Sequence, residues 1–280
     1  VEAGRRATHC GEWVVAAKYY QLGISLLVDC RGKFWNTQAS LIMDLYCDTA
    51  EVAGLLGKYS EMDALIEEAM NQAKDAAHRF QATQIQLQGL IAQQKYADAM
   101  TVGLKALQRN GESIKKNSDA DLKAVRKVLQ SESEESLLNR TVMTDPKALG
   151  VMQVMNLLVS PALILQDDLI PSLAYRMVKH SLQHGLAPSS PFAMCLLGMV
   201  LCLQGDIDLG VRCSDTGMEW VETIPDKTWK GRVMTIHWGL VSRFVKPWRI
   251  CQEPLKVAYR TCIQNGDSEF SLLCPVISVL

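Results

Sequence analysis

The 280-residue chain contains no C-x-x-C pair, no G-x-x-x-x-G-K-[ST] loop, no G-x-S-x-G elbow and no H-E-x-x-H helix. The first absence removes the paired-thiolate metal site and the dithiol redox motif from the readings of its nine cysteines. The other three remove a Walker-type phosphate cradle, a hydrolase nucleophile on a strained turn and a metalloprotease helix. Phenylalanine is scarce at five and proline at nine, while Leu, Ala, Gln and Met abound and alternating strand patterns are nearly missing. That composition favours helix over strand. Acid and base cancel to a net charge of −1, so no basic excess is present to hold nucleic acid.

Long apolar runs are missing as well. Met194–Leu203 is too short to cross a bilayer, and Val151–Leu165 is interrupted by Ser160-Pro161. Val1 to Thr8 is polar and basic with no apolar core behind it, so no signal peptide is read there. The cysteines are scattered through apolar helical patterns, as at Cys195 and Cys202, and read as reduced, buried thiols. A cytoplasmic setting without a membrane partner is the expectation. The chain opens within a helical pattern and stops in the apolar run Leu272 to Leu280, so a segment of a larger protein is expected.

What is present is a repeat. Gly57-Lys58-Tyr59 is followed by Met62, Ile66 and Ala69; Gln94-Lys95-Tyr96 is followed by Ala99, Gly103 and Ala106. Gly11-Glu12-Trp13 leads to Ala16, Tyr20 and Gly23, and Gly205-Asp206-Ile207 leads to Gly210, Ser214 and Gly217. Lys246-Pro247-Trp248 leads to Cys251, Leu255 and Ala258. Each passage is a turn, a bulky residue, then small or apolar residues three, seven and ten further on. Steps of three and four keep those residues on one helical face, where small side chains let two helices approach closely. Gly57 and Gln94 stand 37 residues apart, about the length of a helix–turn–helix repeat. Partner helices are expected over Phe34–Gly54, Asp75–Gln93, Ser189–Gln204 and Lys227–Val245. Asp145-Pro146 and Ser190-Pro191 read as helix starts; Asn110-Gly111, His184-Gly185 and Asn265-Gly266 read as stops. The expected class is all-α: an α-solenoid of antiparallel helical hairpins.

One stretch interrupts the rhythm. Asn110 to Asp145 is dense in charge, centred on Ser131-Glu132-Ser133-Glu134-Glu135, and reads as a partly mobile connection carrying a short amphipathic helix over Leu122–Leu129. A phosphorylation site at Ser131 or Ser133 is the sharper alternative. The expected organisation is N-terminal hairpins over 1–110, the charged connection over 111–145 and C-terminal hairpins over 146–280.

In degenerate form, the turn and second helix resemble the tetratricopeptide repeat. The order of pieces resembles, across nearly the whole chain, the helical region of large multidomain signalling proteins. Those proteins combine a predicted-ATPase domain, often a kinase-like N-terminal domain and a C-terminal sensor histidine kinase. The pieces are Gly4-Arg5-Arg6-Ala7 leading to Trp13 and Tyr20, and Leu56-Gly57-Lys58-Tyr59. They continue with Met143-Thr144-Asp145-Pro146 after a charged spacer, Tyr175-Arg176-Met177-Val178 with His184-Gly185, and Gly205-Asp206. Gln94, in place of the usual turn glycine, and Pro254, inside the last second helix, depart from the pattern. The resemblance implies a TPR-like right-handed superhelix that binds a protein, a peptide or neighbouring domains of its own chain. It places any ATPase or kinase chemistry outside this segment, because none of those motifs falls in it.

Other chemical candidates have plainer readings. Gly54-Leu55-Leu56-Gly57-Lys58 has two residues between its glycines and no Ser or Thr after the lysine, so it is a repeat turn. His78-Arg79-Phe80 lacks the Asp and Asn of a kinase catalytic loop. His180 and His184 are one turn apart, a metal-sharing distance, but they precede a helix stop whose dipole they suit. Asp167-Asp168 reads as a cap before Leu169, and Glu67-Glu68 as a solvated face. Three functions remain: a non-catalytic interaction scaffold, a sensor of a small apolar ligand between helices around Met152–Met155 or Met194–Met199, and a helical enzyme. The expected site residues are the repeat positions themselves, with no catalytic, cofactor or metal residue among them.

Overall fold

A computed structural model of the chain describes residues 1–27, 35, 37–116 and 119–279. It is all-α: among the described residues there is no strand, only an isolated parallel bridge between Val142 and Leu186. Two compact units arise, one from 1–113 with 153–166 and the other from 114–152 with 167–280.

The first unit opens with α1 (Glu2–His9) and α2 (Trp13–Ser25). It continues through α3 (Ala39–Leu55), α4 (Tyr59–Gln72), α5 (Ala76–Ala92) and α6 (Tyr96–Arg109). Phe34, the expected start of α3, lies outside the described residues. Asp75 caps α5, its side chain accepting from His78 N–H. The core is built from one face of each helix: Ala16 and Tyr20 from α2, Met43, Tyr46 and Ala50 from α3, Met62, Ile66 and Ala69 from α4.

The second unit holds α7 (Asp119–Ser131) and the short α8 (Glu134–Leu138) within the charge-dense stretch. Thus Leu122–Leu129 is helical, as its spacing suggested, and Val125 and Leu129 are buried. α9 (Pro146–Leu157) starts on Asp145, whose carboxylate accepts from Ala148 N–H at 3.1 Å. α10 (Val159–Ile164) follows closely, in the first unit. Ser160-Pro161 therefore does not end the helical run, because a proline in the first turn gives up an N–H that has no partner there. Pro146–Ile164 is long and apolar enough to cross a membrane by length and composition, and most of that window is buried within the protein.

The centre of the second unit is α12 (Ser190–Leu203), every residue of which is buried from Ser190 through Cys202. α11 (Ile170–His184) and α13 (Ile207–Thr223) pack on it. Ser190 is not the cap that Ser190-Pro191 suggested: the helix begins one residue earlier, on Ser189. The Ser190 hydroxyl is occupied instead, accepting from Ala187 N–H and lying 2.7 Å from Ser181 Oγ. The expected helix Lys227–Val245 is three pieces: α14 (Lys230–Ile236), a π-helical turn over His237–Val241 and a 3₁₀ turn over Ser242–Phe244. α15 (Trp248–Gln264) runs unbroken through Pro254, and α16 (Ser268–Val279) closes the order.

Candidate functional site

The repeat turns share one geometry. At Gly11, Gly57, Gln94 and Gly205 φ is +75, +73, +59 and +90°. In each, two hydrogen bonds close the preceding helix. Gly57 N–H donates to Gly54 O and Lys58 N–H to Ala53 O; Gln94 N–H donates to Ile91 O and Lys95 N–H to Leu90 O. Gly11 with Glu12, and Gly205 with Asp206, repeat the pair. This is the six-to-one and five-to-two pattern that satisfies orphan carbonyls at a left-handed helix end. The fifth turn, at Lys246-Pro247, lacks a left-handed residue and reaches α15 through the 3₁₀ turn instead.

Behind the turns the small residues face inward. Ala16, Tyr20, Ala69, Ala99, Gly210 and Ala258 are buried; Tyr59, Tyr96, Ala106 and Trp248 are half-buried; Trp13 is 39% exposed. The closest approach is between α12 and α13. A methyl on Gly210 would stand 2.7 Å from Gly198 O, and one on Gly217 would stand 2.8 Å from Pro191 O. Gly4, from the first resemblance motif, lies against the Tyr20 ring, and Arg5 Nε donates to Asp48 at 2.7 Å.

Two further motifs, far apart in sequence, meet in the second unit. Met143 N–H donates to Leu186 O at 2.9 Å, and Leu186 N–H donates to Thr141 O at 2.8 Å. Gly185, at φ +96°, sits so close beneath this bridge that a methyl would stand 2.6 Å from Thr141 O. His180 Nε2–H donates to Ala148 O at 3.0 Å, so this imidazole ties α11 to α9. The ring of the exposed His184 lies 4.5 Å from it, tilted by 39°. Among the described residues no group of three His, Cys, Asp or Glu is placed to hold a metal. Asp167 accepts from Leu169 N–H at 3.0 Å and pairs with Lys116. Ser133 caps α8 through Ser136 N–H, and Ser131 Oγ donates to Val128 O.

No sequence pattern announces the polar centre at His237. Its Nδ1 lies 3.0 Å from Ser214 Oγ on α13, and its Nε2 3.2 Å from Ser242 Oγ. Asp215 Oδ1 is 3.9 Å from Nδ1. Burial, with Lys246 adding repulsion, pushes this imidazole down to about 4, so it is neutral at pH 7 and each ring nitrogen finds a hydroxyl. Both serines are buried. Burial likewise pushes Cys47, Cys195 and Cys213 up to about 12, and the described cysteines are free.

Of the Met-rich stretches, Met152, Met155, Met194 and Met199 are buried in the core. A cavity of about 420 Å³ lies in the first unit, lined by Leu55, Tyr59, Met62 and Ile85 together with Glu51 and Gln88. Gly54 and Gly89 also line it, and a methyl on either would run into the Met62 side chain.

The geometry defines a protein that is all-helical in its described residues. No family model matches the chain, and no solved structure matches it. It is similar to "Hybrid signal transduction histidine kinase G" of Dictyostelium discoideum, at 20% identity over 298 aligned positions. The match covers 95% of this chain but only 9% of that protein. The chain thus spans about a tenth of the length of the signalling protein it resembles.

Proposed function

We propose that the chain is a non-catalytic scaffold, a TPR-like right-handed solenoid that offers its hairpins to a protein partner or to neighbouring domains of a larger cytoplasmic signalling protein. The observation that supports this most is the recurrence of one turn. Gly11, Gly57, Gln94 and Gly205 close their helices with the same two hydrogen bonds, and small or apolar residues are buried behind each. In stacks of such units each contacts only its neighbours, and their curvature creates extended concave binding surfaces. The likeness to a hybrid histidine kinase over 95% of the chain supports the signalling setting. In this reading ATPase or kinase chemistry belongs to domains outside the segment.

The test is quantitative affinity capture from lysate, alongside assays for nucleotide and ester turnover. Reproducible capture of protein without turnover is expected; turnover by the purified chain would overturn the reading. The cavity beside Tyr59 favours a second reading, a sensor that holds a small apolar ligand between helices. A rise in melting temperature with one compound of a metabolite panel, abolished by Gly89→Leu, would support it.

A further inference from the structure

The turn that joins the π-helical segment to α15 differs from the other four in shape and in chemistry. Gly11-Glu12, Gly57-Lys58, Gln94-Lys95 and Gly205-Asp206 are tight and polar. Here the chain reads Arg243-Phe244-Val245-Lys246-Pro247-Trp248-Arg249-Ile250. Phe244, Val245 and Ile250 are 40, 50 and 55% exposed, so three large apolar groups stand in solvent beside three cations. The cations have no carboxylate partner in the described residues. The guanidinium of Arg243 lies 5.7 Å from the Trp248 ring and the ammonium of Lys246 4.7 Å from the Trp238 ring. Glu253, one turn further on, is already paired with Lys256 at 2.6 Å. Elsewhere in this unit Arg126, Arg140, Arg176, Lys179 and Arg232 are all paired with acids.

We infer that this turn is a docking surface for an acidic, apolar-bearing segment of a protein partner. The inference rests on the scaffold reading above and names the partner's chemistry. Charge complementarity selects the sign, since unpaired cations beside exposed apolar groups reward a segment that carries carboxylates between large side chains. The rings beneath Arg243 and Lys246 hold two of the cations in place before binding, which lowers the ordering cost and suits a partner of fixed geometry. A fluid anionic lipid surface is matched by clusters of about four to eight basic residues, and this turn has fewer. A second copy would bring like charges face to face.

The probe is a short fluorescein-labelled peptide alternating glutamate with leucine and phenylalanine, and fluorescence anisotropy reads its binding to the full chain. Binding that weakens as salt is raised is expected. Arg243→Gln/Lys246→Gln/Arg249→Gln should weaken it roughly tenfold, and Phe244→Ser/Val245→Ser should weaken it while the salt dependence remains. Hydrogen exchange on the unaltered chain should show peptide-dependent protection over 243–250, a readout independent of how either variant folds. Equal affinity in both variants, protection elsewhere, no peptide binding, or binding to phosphatidylserine vesicles in its place would each overturn the inference. Loss of peptide binding in the triple variant with undiminished lysate capture would sink this surface and leave the scaffold reading standing.

Discussion

Gln94 and Gly57 hold the same backbone shape at equivalent places, with φ +59° at the glutamine and +73° at the glycine, and each opens onto a tyrosine two residues later. The glutamine pays a steric cost there that glycine avoids, about 1–2 kcal/mol from the clash between its Cβ and the neighbouring carbonyl. Gln94→Gly is expected to stabilise the chain by about 0.5–1 kcal/mol after the greater freedom of unfolded glycine is deducted. Thermal unfolding should shift upward by a few degrees, and an unchanged or lower midpoint would show that the turn stores no strain.

The all-α class was legible because the apolar spacing of three and four recurs behind each turn and strand-like alternation is scarce. Asp145 and Gly185 were legible as helix ends because one needs an oxygen for orphan N–H groups and the other a left-handed φ. Ser190 misled because the hydroxyl that could cap α12 is taken by Ala187 N–H and Ser181. The His237 centre was invisible for a different reason. Ser214 is 23 residues away, and Ser242 comes within reach only through a π turn, a backbone choice that no side-chain pattern announces. Long-range pairs such as Asp121 with Arg176 and Lys179 were hidden in the same way.

The close approach of α12 and α13 makes Gly217 intolerant of the smallest addition. Gly217→Ala places a methyl 2.8 Å from a backbone oxygen and 2.6 Å from Cys195 Sγ. A destabilisation of about 1–3 kcal/mol is expected, measured as the shift in urea midpoint. In a Cys195→Ala background only part should be recovered, because Pro191 O cannot move aside like a side chain. Full recovery would show that the thiol alone sets the limit.

The buried imidazole of His237 gives stability a defined pH dependence. Its folded value, about 4, lies below the ordinary 6.5, so the unfolded chain takes up the proton first as pH falls. The contribution of the neutral ring is complete above about pH 6.5 and is lost on descending toward pH 4. Asp215, 3.9 Å away, would favour the charged ring, whereas Lys246 and burial oppose it. Melting temperature should decline from pH 7 to pH 5, and His237→Gln should flatten that part of the profile. An identical slope in the variant would assign the decline to other groups.

Arg232 fixes α14 to the turn before α16 in a way lysine cannot reproduce. Its Nε donates to one Asp267 oxygen at 2.5 Å and Nη2 donates to the other at 3.1 Å. Nη2 also meets Glu269 at 3.1 Å, and the guanidinium lies over the Phe270 and Trp229 rings at 4.5 and 5.2 Å. Asp267 in turn accepts from Phe270 N–H, starting α16. The pair is mostly shielded from solvent, so salt screens it weakly. Arg232→Lys keeps the charge but loses the fork and the stacking, and a loss of about 1–2 kcal/mol is expected. Arg232→Ala should cost more, since it strands a largely buried carboxylate. If lysine proves equivalent to arginine in urea unfolding, the joint depends on charge alone.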